Sequence, residues 1–234
     1  MFNFSSLCPI FPKPIDAGFN NWITWIINNW IGRGNMLSGF EKKKVLIGDL
    51  KKTIAEDGTV DLDLPIWQSI PDEKGIYAVI APDGFSPEFI EDGKYRMKED
   101  GSSKVLKEKL QEKWVANEKI LYFGKAGGTN LDGTEQDSNL RERIRKYIIF
   151  GLGAEILEKA GKKARIDHRG GRYIWHLANV EQLYFVWKTC KNEPEDEEYE
   201  RIEKFGLKYK DIRKRTKGKL LLPFANLKSG KKKK

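Results

Sequence analysis

Alternating apolar and polar positions predict a series of short strands along the central part of the chain. Within residues 74–82 (KGIYAVIAP), Ile76, Ala78 and Ile80 alternate with Tyr77 and Val79. This period of two residues is typical of a strand with two distinct faces. Short apolar runs bounded by turn residues predict three further strands, at 120–123, 172–177 and 182–189. A glycine-rich stretch over 124–133 predicts a loop directly after the second strand.

Two segments carry helix signals after that loop. Asn139 and Glu142 have the spacing of a capping box, and an apolar stripe with helical period follows them as far as Gly151. A second helix is predicted over 194–205, with proline and several acids in its first turn and Gly206 past its last turn.

The order of these elements predicts one compact α+β domain over 36–228. Its strands follow one another without a crossover helix between each pair, which favours a small mixed or antiparallel sheet flanked by helices. Residues 83–119 are charged and rich in turn residues, with one amphipathic helix at 105–114. They predict a surface insertion between the first two strands, and residues 229–234 form a basic tail.

Residues 1–35 differ in composition from the rest of the chain. Aromatic residues recur there at helical spacing between asparagines, which predicts an amphipathic or disordered extension ahead of a second candidate start at Met36. The segment is too short and polar to span a bilayer, whereas attachment to a membrane surface through its tryptophans stays an alternative. Only two cysteines, Cys8 and Cys190, are present, and we expect a cytoplasmic protein.

Charge favours a polyanionic partner through its distribution more than through its total. The 234 residues hold 43 bases and 34 acids, a net charge of +9, but four of these charges belong to Lys231–Lys234. Two internal blocks are more informative: residues 141–172 hold ten bases and four acids, and residues 201–219 hold nine bases and two acids. Such blocks are typical of surfaces that follow a phosphate backbone.

Five short motifs stand in a fixed order on these elements. GIY lies on the first strand, YFGKA on the second, NLRERIRKY on the first helix, EYERIEKF on the second helix and LPFANL near the end. In order and spacing this set, over 75–227, resembles the GIY-YIG nuclease family, and in particular its excision-repair branch. Tyr122 follows Tyr77 by 45 positions, which exceeds the short hairpin usual in that family.

The resemblance implies one catalytic site assembled from all five motifs. Its members would be two strand tyrosines, the lysine after YFG, a helix arginine, a second helix tyrosine, a glutamate and a late asparagine: Tyr77, Tyr122, Lys125, Arg143, Tyr147, Glu198 and Asn226. Glu198 is chosen from its acidic run because Ile202 and Phe205 follow it at the family's spacing. As the metal ligand, this single carboxylate implies Mg²⁺ or Mn²⁺.

The chemistry of these residue types is compatible with phosphodiester hydrolysis. Tyr77 and Tyr122 would lie on paired strands, so their hydroxyls could converge on one water, with Lys125 assisting from the glycine-rich loop. Arg143 and Tyr147 lie one helical turn apart, as a phosphate clamp requires. Further nucleic-acid contacts are predicted at six basic positions: Arg141, Arg145, Lys146, His168, Arg169 and Arg172.

We therefore expect a metal-dependent endonuclease acting on DNA, of a restriction, defence or repair type, with RNA as a further candidate substrate. The alternative is a nucleic-acid-binding module that retains the fold without cleavage. Loss of the tyrosines, the arginine or the glutamate would mark that module, and all are present here. His176 is expected to be a packing or strand-surface residue.

Overall fold

A computed structural model describes residues 36–93, 95, 103–129, 134, 136, 138–152, 170–209 and 220–227. The predicted extension 1–35 and the basic tail 229–234 lie outside these ranges. The chain divides into two units, Met1–Ser38 and Gly39–Lys234, and every helix and strand reported below belongs to the second unit. Among the helices of the described ranges, none has the length and apolar character needed to cross a bilayer.

The sheet has four antiparallel strands: β1 (Val45–Leu46), β2 (Gly75–Ile80), β3 (Ile120–Ala126) and β4 (Tyr184–Thr189). Their order across the sheet is β1-β4-β2-β3. The predicted α+β class and small antiparallel sheet are therefore confirmed. The backbone of β2 is paired with β3 on one side and β4 on the other, and its residues from Gly75 to Val79 are buried on both faces of the sheet.

Within the residues described above, five α-helices and two 3₁₀ helices accompany the sheet. The α-helices are α1 (Ile47–Lys52), α2 (Pro65–Gln68), α3 (Lys107–Lys113), α4 (Leu140–Leu152) and α5 (Pro194–Lys208). The 3₁₀ helices are Arg172–His176 and Val180–Gln182. Sequence patterns predicted α3, α4 and α5, whereas β1, α1 and α2 were not predicted.

Helix α4 begins with half of the predicted capping box. The Asn139 side-chain oxygen accepts a hydrogen bond from the Glu142 amide at 2.8 Å. The Glu142 carboxylate does not return to the cap; it accepts two hydrogen bonds of 2.7 Å from Arg145. The apolar stripe of the helix is fully buried, as predicted: Leu140, Ile144, Tyr147 and Ile148.

Two sequence predictions near the site are wrong. Residues 172–177 do not form a strand: a 3₁₀ helix follows Gly171, whose φ of 82° turns the chain so that Tyr173, Ile174 and Trp175 enter the core. The glycine-rich loop does not start at residue 124, because β3 remains paired with β2 as far as Ala126. Lys125 therefore lies on a strand.

The end of α5 also differs from its prediction. Gly206 does not follow the last turn, because the helix continues to Lys208. A Cβ at Gly206 would lie 2.2 Å from Leu220 Cγ, so the glycine permits close packing of the chain's last described segment. The acids predicted for the first turn are found there: Glu195, Asp196 and Glu197.

That last segment is attached to β3 by a side chain. Asn226 Oδ1 accepts a hydrogen bond from the Phe123 amide at 3.0 Å, and Asn226 Nδ2 donates to the Phe123 carbonyl at 2.9 Å. The Ala225 amide donates to the Leu121 carbonyl at 2.9 Å. Residues 225 and 226 thus bind the backbone on both sides of Tyr122.

We expect Asn226→Ala to lower the free energy of unfolding by about 1–3 kcal/mol, because it leaves two buried backbone groups of Phe123 without partners. Urea denaturation followed by tryptophan fluorescence measures the change. Asn192→Ala is the control, since Asn192 is exposed, and its effect should stay within about 0.5 kcal/mol. Equal effects of the two substitutions would contradict the structural role of Asn226.

Candidate active site

Three predicted tyrosines from three different elements pack together. Tyr77 lies on β2, Tyr122 on β3 and Tyr147 on α4, and all three are buried. The ring centroids of Tyr77 and Tyr122 lie 5.9 Å apart, those of Tyr122 and Tyr147 5.9 Å, and those of Tyr77 and Tyr147 6.3 Å. Phe185 of β4 packs against Tyr77 and Tyr147 at 5.9 and 5.7 Å.

Glycines make room for these phenol groups. Gly124 is paired with Tyr77 across the two strands, and a Cβ there would lie 2.6 Å from the Tyr77 hydroxyl. A Cβ at Gly171 would lie 2.8 Å from the Tyr147 hydroxyl, and one at Gly170 would lie 2.9 Å from the Tyr122 hydroxyl. The glycine pair at 170–171 is visible in the sequence, but its contact with the tyrosines was not predicted.

The polar atoms of this cluster are unequally satisfied. Tyr147 donates a 2.7 Å hydrogen bond to the carbonyl of Gly171. Within the described part of the chain, the buried Tyr77 hydroxyl and the buried Nε of Arg143 make no hydrogen bond of normal geometry. Tyr122 and the Arg143 guanidinium nevertheless lie close enough to the Tyr77 hydroxyl for hydrogen bonding to lower its pKa. Tyr77 and Arg143 are therefore neighbours whose polar atoms are not fully satisfied by one another.

Glu198 brings a negative charge to the same place from α5. Burial raises the pKa of its carboxyl to about 7, against the opposing positive charges of Lys125 and Arg143, and the negative charge of Glu195 adds to the rise. Its charge also acts on Tyr77 and Tyr122. The structure therefore brings six of the seven predicted catalytic residues together: Tyr77, Tyr122, Lys125, Arg143, Tyr147 and Glu198.

The tyrosines themselves are neutral at physiological pH. Burial raises the pKa of Tyr77 above its ordinary value of 10.0, although the charge of Arg143 opposes that rise. Burial raises the pKa values of Tyr122 and Tyr147 further. A phenolate is therefore scarce in this cluster, and each hydroxyl acts as a donor and acceptor of hydrogen bonds.

Acidic residues before Glu198 join the site to the loop after β3. Glu195 forms an ion pair with Lys125, with 3.4 Å between Oε2 and Nζ. The Glu193 carboxylate accepts hydrogen bonds of 2.9 Å from both the amide and the hydroxyl of Thr129. Sequence patterns could not separate these two glutamates from their acidic neighbours, because only the fold decides which of them face β3.

The donor set fits a metal ion held through one carboxylate. Among the residues that the structure describes, no group of three histidines, cysteines or acids could enclose a metal. Mg²⁺ and Mn²⁺ do not need such an enclosure, because they retain waters and take oxygen atoms from substrate phosphates. Glu198 is a hard oxygen ligand of the required type, and the charges of Lys125 and Arg143 act on it.

The remaining predicted residues lie outside the tyrosine cluster. Asn226 binds the backbone of β3, and Arg172 stacks over the ring of Tyr173 with 5.5 Å from Cζ to the ring centroid. On α4, Arg141 donates to the Ile70 carbonyl, whereas Arg145 and Lys146 both pair with Glu142. Two predicted nucleic-acid contacts, His168 and Arg169, fall outside the described residues.

Stability should depend on the charge of Glu198. The pKa of Glu198 is about 7 in the folded protein, whereas its ordinary value is 4.5, which we take for the unfolded chain. Between these pH values the folded protein therefore binds a proton at Glu198 that the unfolded chain has lost. Ionised Glu198 therefore reduces stability increasingly as the pH rises through this window. We expect Glu198→Gln to be more stable than the parent chain by about 1–3 kcal/mol at pH 8 and equally stable near pH 4.

Urea unfolding in the presence of a chelator measures this difference at both pH values. Glu203→Gln is a matched control, because Glu203 is an exposed residue of the same helix and should show no such pH dependence. A Glu198→Gln effect of the same size at pH 4 and pH 8 would contradict the electrostatic account.

Compared with family models, curated proteins and solved structures, the chain matches none of them. No relative therefore assigns a role to the residues of this site. The three tyrosines, with Arg143, Lys125 and Glu198 near them, form the group that the sequence motifs predicted, and this group is the candidate site.

Proposed function

We propose that the protein is a metal-dependent endonuclease of the GIY-YIG type that hydrolyses phosphodiester bonds in DNA. The observation that carries the proposal is the grouping of Tyr77, Arg143 and Glu198, in which, among the described residues, Tyr77 Oη and Arg143 Nε are buried without a hydrogen bond of normal geometry. A water and a phosphate oxygen would supply the hydrogen-bond partners that these atoms lack.

Phosphodiester hydrolysis places specific demands on such a site. A water oxygen forms a bond to phosphorus while the bond from phosphorus to the leaving oxygen breaks, and a proton passes to that oxygen. Negative charge grows on the phosphate during this step, so nearby positive groups lower the barrier. Lys125 and Arg143 are the cations whose charges act on Glu198, and both would face such a phosphate.

Tyr77 fits a role in positioning the water. Because burial raises its pKa, the neutral hydroxyl would accept a hydrogen bond from the attacking water and hold it in line with phosphorus. A phenolate base would be a stronger proton acceptor, but its population at neutral pH is small. Tyr122, whose ring centroid lies 5.9 Å away, would restrict the orientation of the Tyr77 ring.

Arg143 would bind the phosphate that undergoes reaction. Its guanidinium carries several donors in a fixed plane, and its Nε is buried without a partner among the described residues. Tyr147, one turn along α4, already donates its proton to Gly171, so it would hold its part of the helix in place and keep water out. The two residues then have different roles despite sharing a helix face.

Glu198 would hold the metal ion, Mg²⁺ or Mn²⁺. When bound there, the metal supplies positive charge that stabilises the phosphate oxygens in the transition state. The positive charges of Lys125, Arg143 and the metal ion would together keep the Glu198 carboxylate ionised, against burial and the negative charge of the phosphate. The basic residues of α4 would then contact flanking phosphates, with Lys146 and Arg145 exchanging Glu142 for the nucleic acid.

Nicking of a supercoiled plasmid tests the proposal. We expect relaxation of the plasmid with Mg²⁺ or Mn²⁺ and none with a chelator. Tyr77→Phe, Arg143→Ala and Glu198→Gln should each lower the nicking rate by about 10²–10⁴-fold, because each removes one polar group of the site. Matched controls are Tyr184→Phe on β4 and Glu203→Gln on α5, which should retain the parent rate.

Specific results would overturn parts of the proposal. Nicking that persists with a chelator, or an undiminished rate for Glu198→Gln, would remove the metal assignment. If the protein binds DNA but cleaves neither DNA nor RNA, it is a binding module on this fold instead of a nuclease. Controls that lose activity as strongly as the site variants would show that the losses come from folding.

A further inference from the structure

One buried histidine makes several of the hydrogen bonds that attach the insertion at 83–119 to the rest of the domain. His176 accepts a hydrogen bond at its backbone carbonyl from the Ile90 amide at 2.9 Å. Its Nδ1 lies 2.9 Å from the Ile90 carbonyl, and its Nε2 lies 2.5 Å from the Tyr95 hydroxyl. Both Ile90 and Tyr95 belong to the insertion, so His176 has three bonds to it.

These contacts define the tautomer of His176. A backbone carbonyl can only accept, so Nδ1 must carry the hydrogen that bonds to Ile90. Nε2 of the neutral ring is then an acceptor, and Tyr95 donates its hydroxyl hydrogen to it. The side chain is fully buried, and both of its ring nitrogens are hydrogen-bonded to the insertion. Loss of either bond would leave a buried polar atom without a partner.

One path leads from His176 to the tyrosine cluster. His176 ends the 3₁₀ helix Arg172–His176, which follows Gly171, and the Gly171 carbonyl accepts the hydrogen bond of Tyr147. Tyr95 itself stacks on Phe150 with 4.7 Å between ring centroids, three residues after Tyr147 on α4. The insertion therefore contacts α4 three residues after the donor Tyr147, and it contacts the end of the 3₁₀ helix that follows the acceptor Gly171.

A second path leads to Tyr122. Lys113 of α3 donates a 3.2 Å hydrogen bond to the Asn226 carbonyl, and the insertion residues Phe89 and Trp114 pack against Phe224 at 5.9 and 5.3 Å. As described above, Ala225 and Asn226 bind the backbone of β3 on both sides of Tyr122.

The two paths meet at Gly171. Its amide donates to the Ala225 carbonyl at 3.2 Å, and its carbonyl accepts from Tyr147. Neither Gly171 nor residues 224–226 belong to a regular helix or strand, so no ladder of their own holds them in place. Their positions depend on contacts made from outside, and the insertion supplies several of them.

We propose that the insertion positions Tyr122 and Tyr147, acting through His176 and residues 224–226. His176, Tyr95 and Lys113 are positioning residues in this proposal, because they act through their hydrogen bonds to one another's neighbours: Tyr95 to His176, His176 to Ile90, and Lys113 to Asn226. The inference rests on the proposed function for its effect on cleavage. The insertion is accordingly an internal part of the site's framework, where the sequence predicted an insertion on the domain surface.

Tyr95→Phe is the main test, because it removes one hydroxyl and keeps the ring that stacks on Phe150. With the full chain, we expect the maximal nicking rate to fall by about 10–100-fold, as small misplacements of catalytic groups do. The concentration of plasmid giving half the maximal rate should change less than about twofold, since the phosphate-binding groups are intact. The ¹³Cζ NMR signal of Tyr147, assigned with Tyr147→Phe, should shift.

Lys113→Met tests the second path, because it keeps the apolar stem and removes the donor to Asn226. We expect it to shift the ¹³Cζ signal of Tyr122 and to lower the maximal rate. Thr53→Val is the matched control: it removes a hydroxyl that follows α1, accepts a 2.8 Å hydrogen bond from Trp67 Nε1 of α2 and donates one of 2.7 Å to the Leu50 carbonyl. It should leave the rate and both tyrosine signals unchanged.

The results separate this proposal from the proposed function. If the parent chain does not cleave, the function fails, but shifted tyrosine signals in Tyr95→Phe and Lys113→Met still support positioning by the insertion. Signals and rates that match those of Thr53→Val would overturn the inference even if the parent chain is an active nuclease. A parallel increase in the half-maximal plasmid concentration, with an unchanged maximal rate, would also overturn it.

Discussion

The antiparallel pairing of β2 with β3 is the constraint on which the site depends. Its register sets Tyr77 against Gly124, and the missing side chain at Gly124 lets the phenol ring lie across the neighbouring strand. A shift of one residue would place a side chain there and turn Tyr77 to the opposite face of the sheet. Arg143 of α4 and Glu198 of α5 then come close enough to Tyr77 for their charges to act on its hydroxyl.

Burial has a larger effect than neighbouring charges on the pKa of Glu198 and on the pKa of each tyrosine in this cluster. At Glu198 and Tyr77, burial raises the pKa while nearby positive charge lowers it. The tyrosines are therefore neutral near pH 7, and Glu198 is only partly ionised. In the proposed reaction, the positive charge of a metal ion would offset the negative charge of Glu198, and the negative charge of a phosphate would offset the positive charges of Lys125 and Arg143. The ion pair between Lys125 and Glu195 keeps one cation near the site without leaving it unpaired.

Local patterns in the sequence predicted the parts of the fold that local forces determine. The period of β2, the cap at Asn139 and the acidic first turn of α5 are all found in the structure. The grouping of the tyrosines with Arg143 and Glu198 was predicted through the order of the motifs. The wrong predictions concern features that long-range packing determines. Gly206 lies inside α5 because Leu220 packs closely against it, and residues 172–176 form a 3₁₀ helix that places Trp175 in the core. The pairing of β1 with β4 joins residues far apart in sequence, and a strand of two residues is too short to produce a recognisable local pattern.

The attachment of Asn226 to Phe123 also has a consequence for association between chains. β3 lies at one end of the strand order, and an end strand offers unpaired amides and carbonyls to any other extended chain. Asn226 occupies both groups of Phe123 with its side chain, and Ala225 occupies the carbonyl of Leu121. This short segment therefore closes part of that edge to strand addition, which is a route to aggregation and to domain swapping in proteins with open sheets.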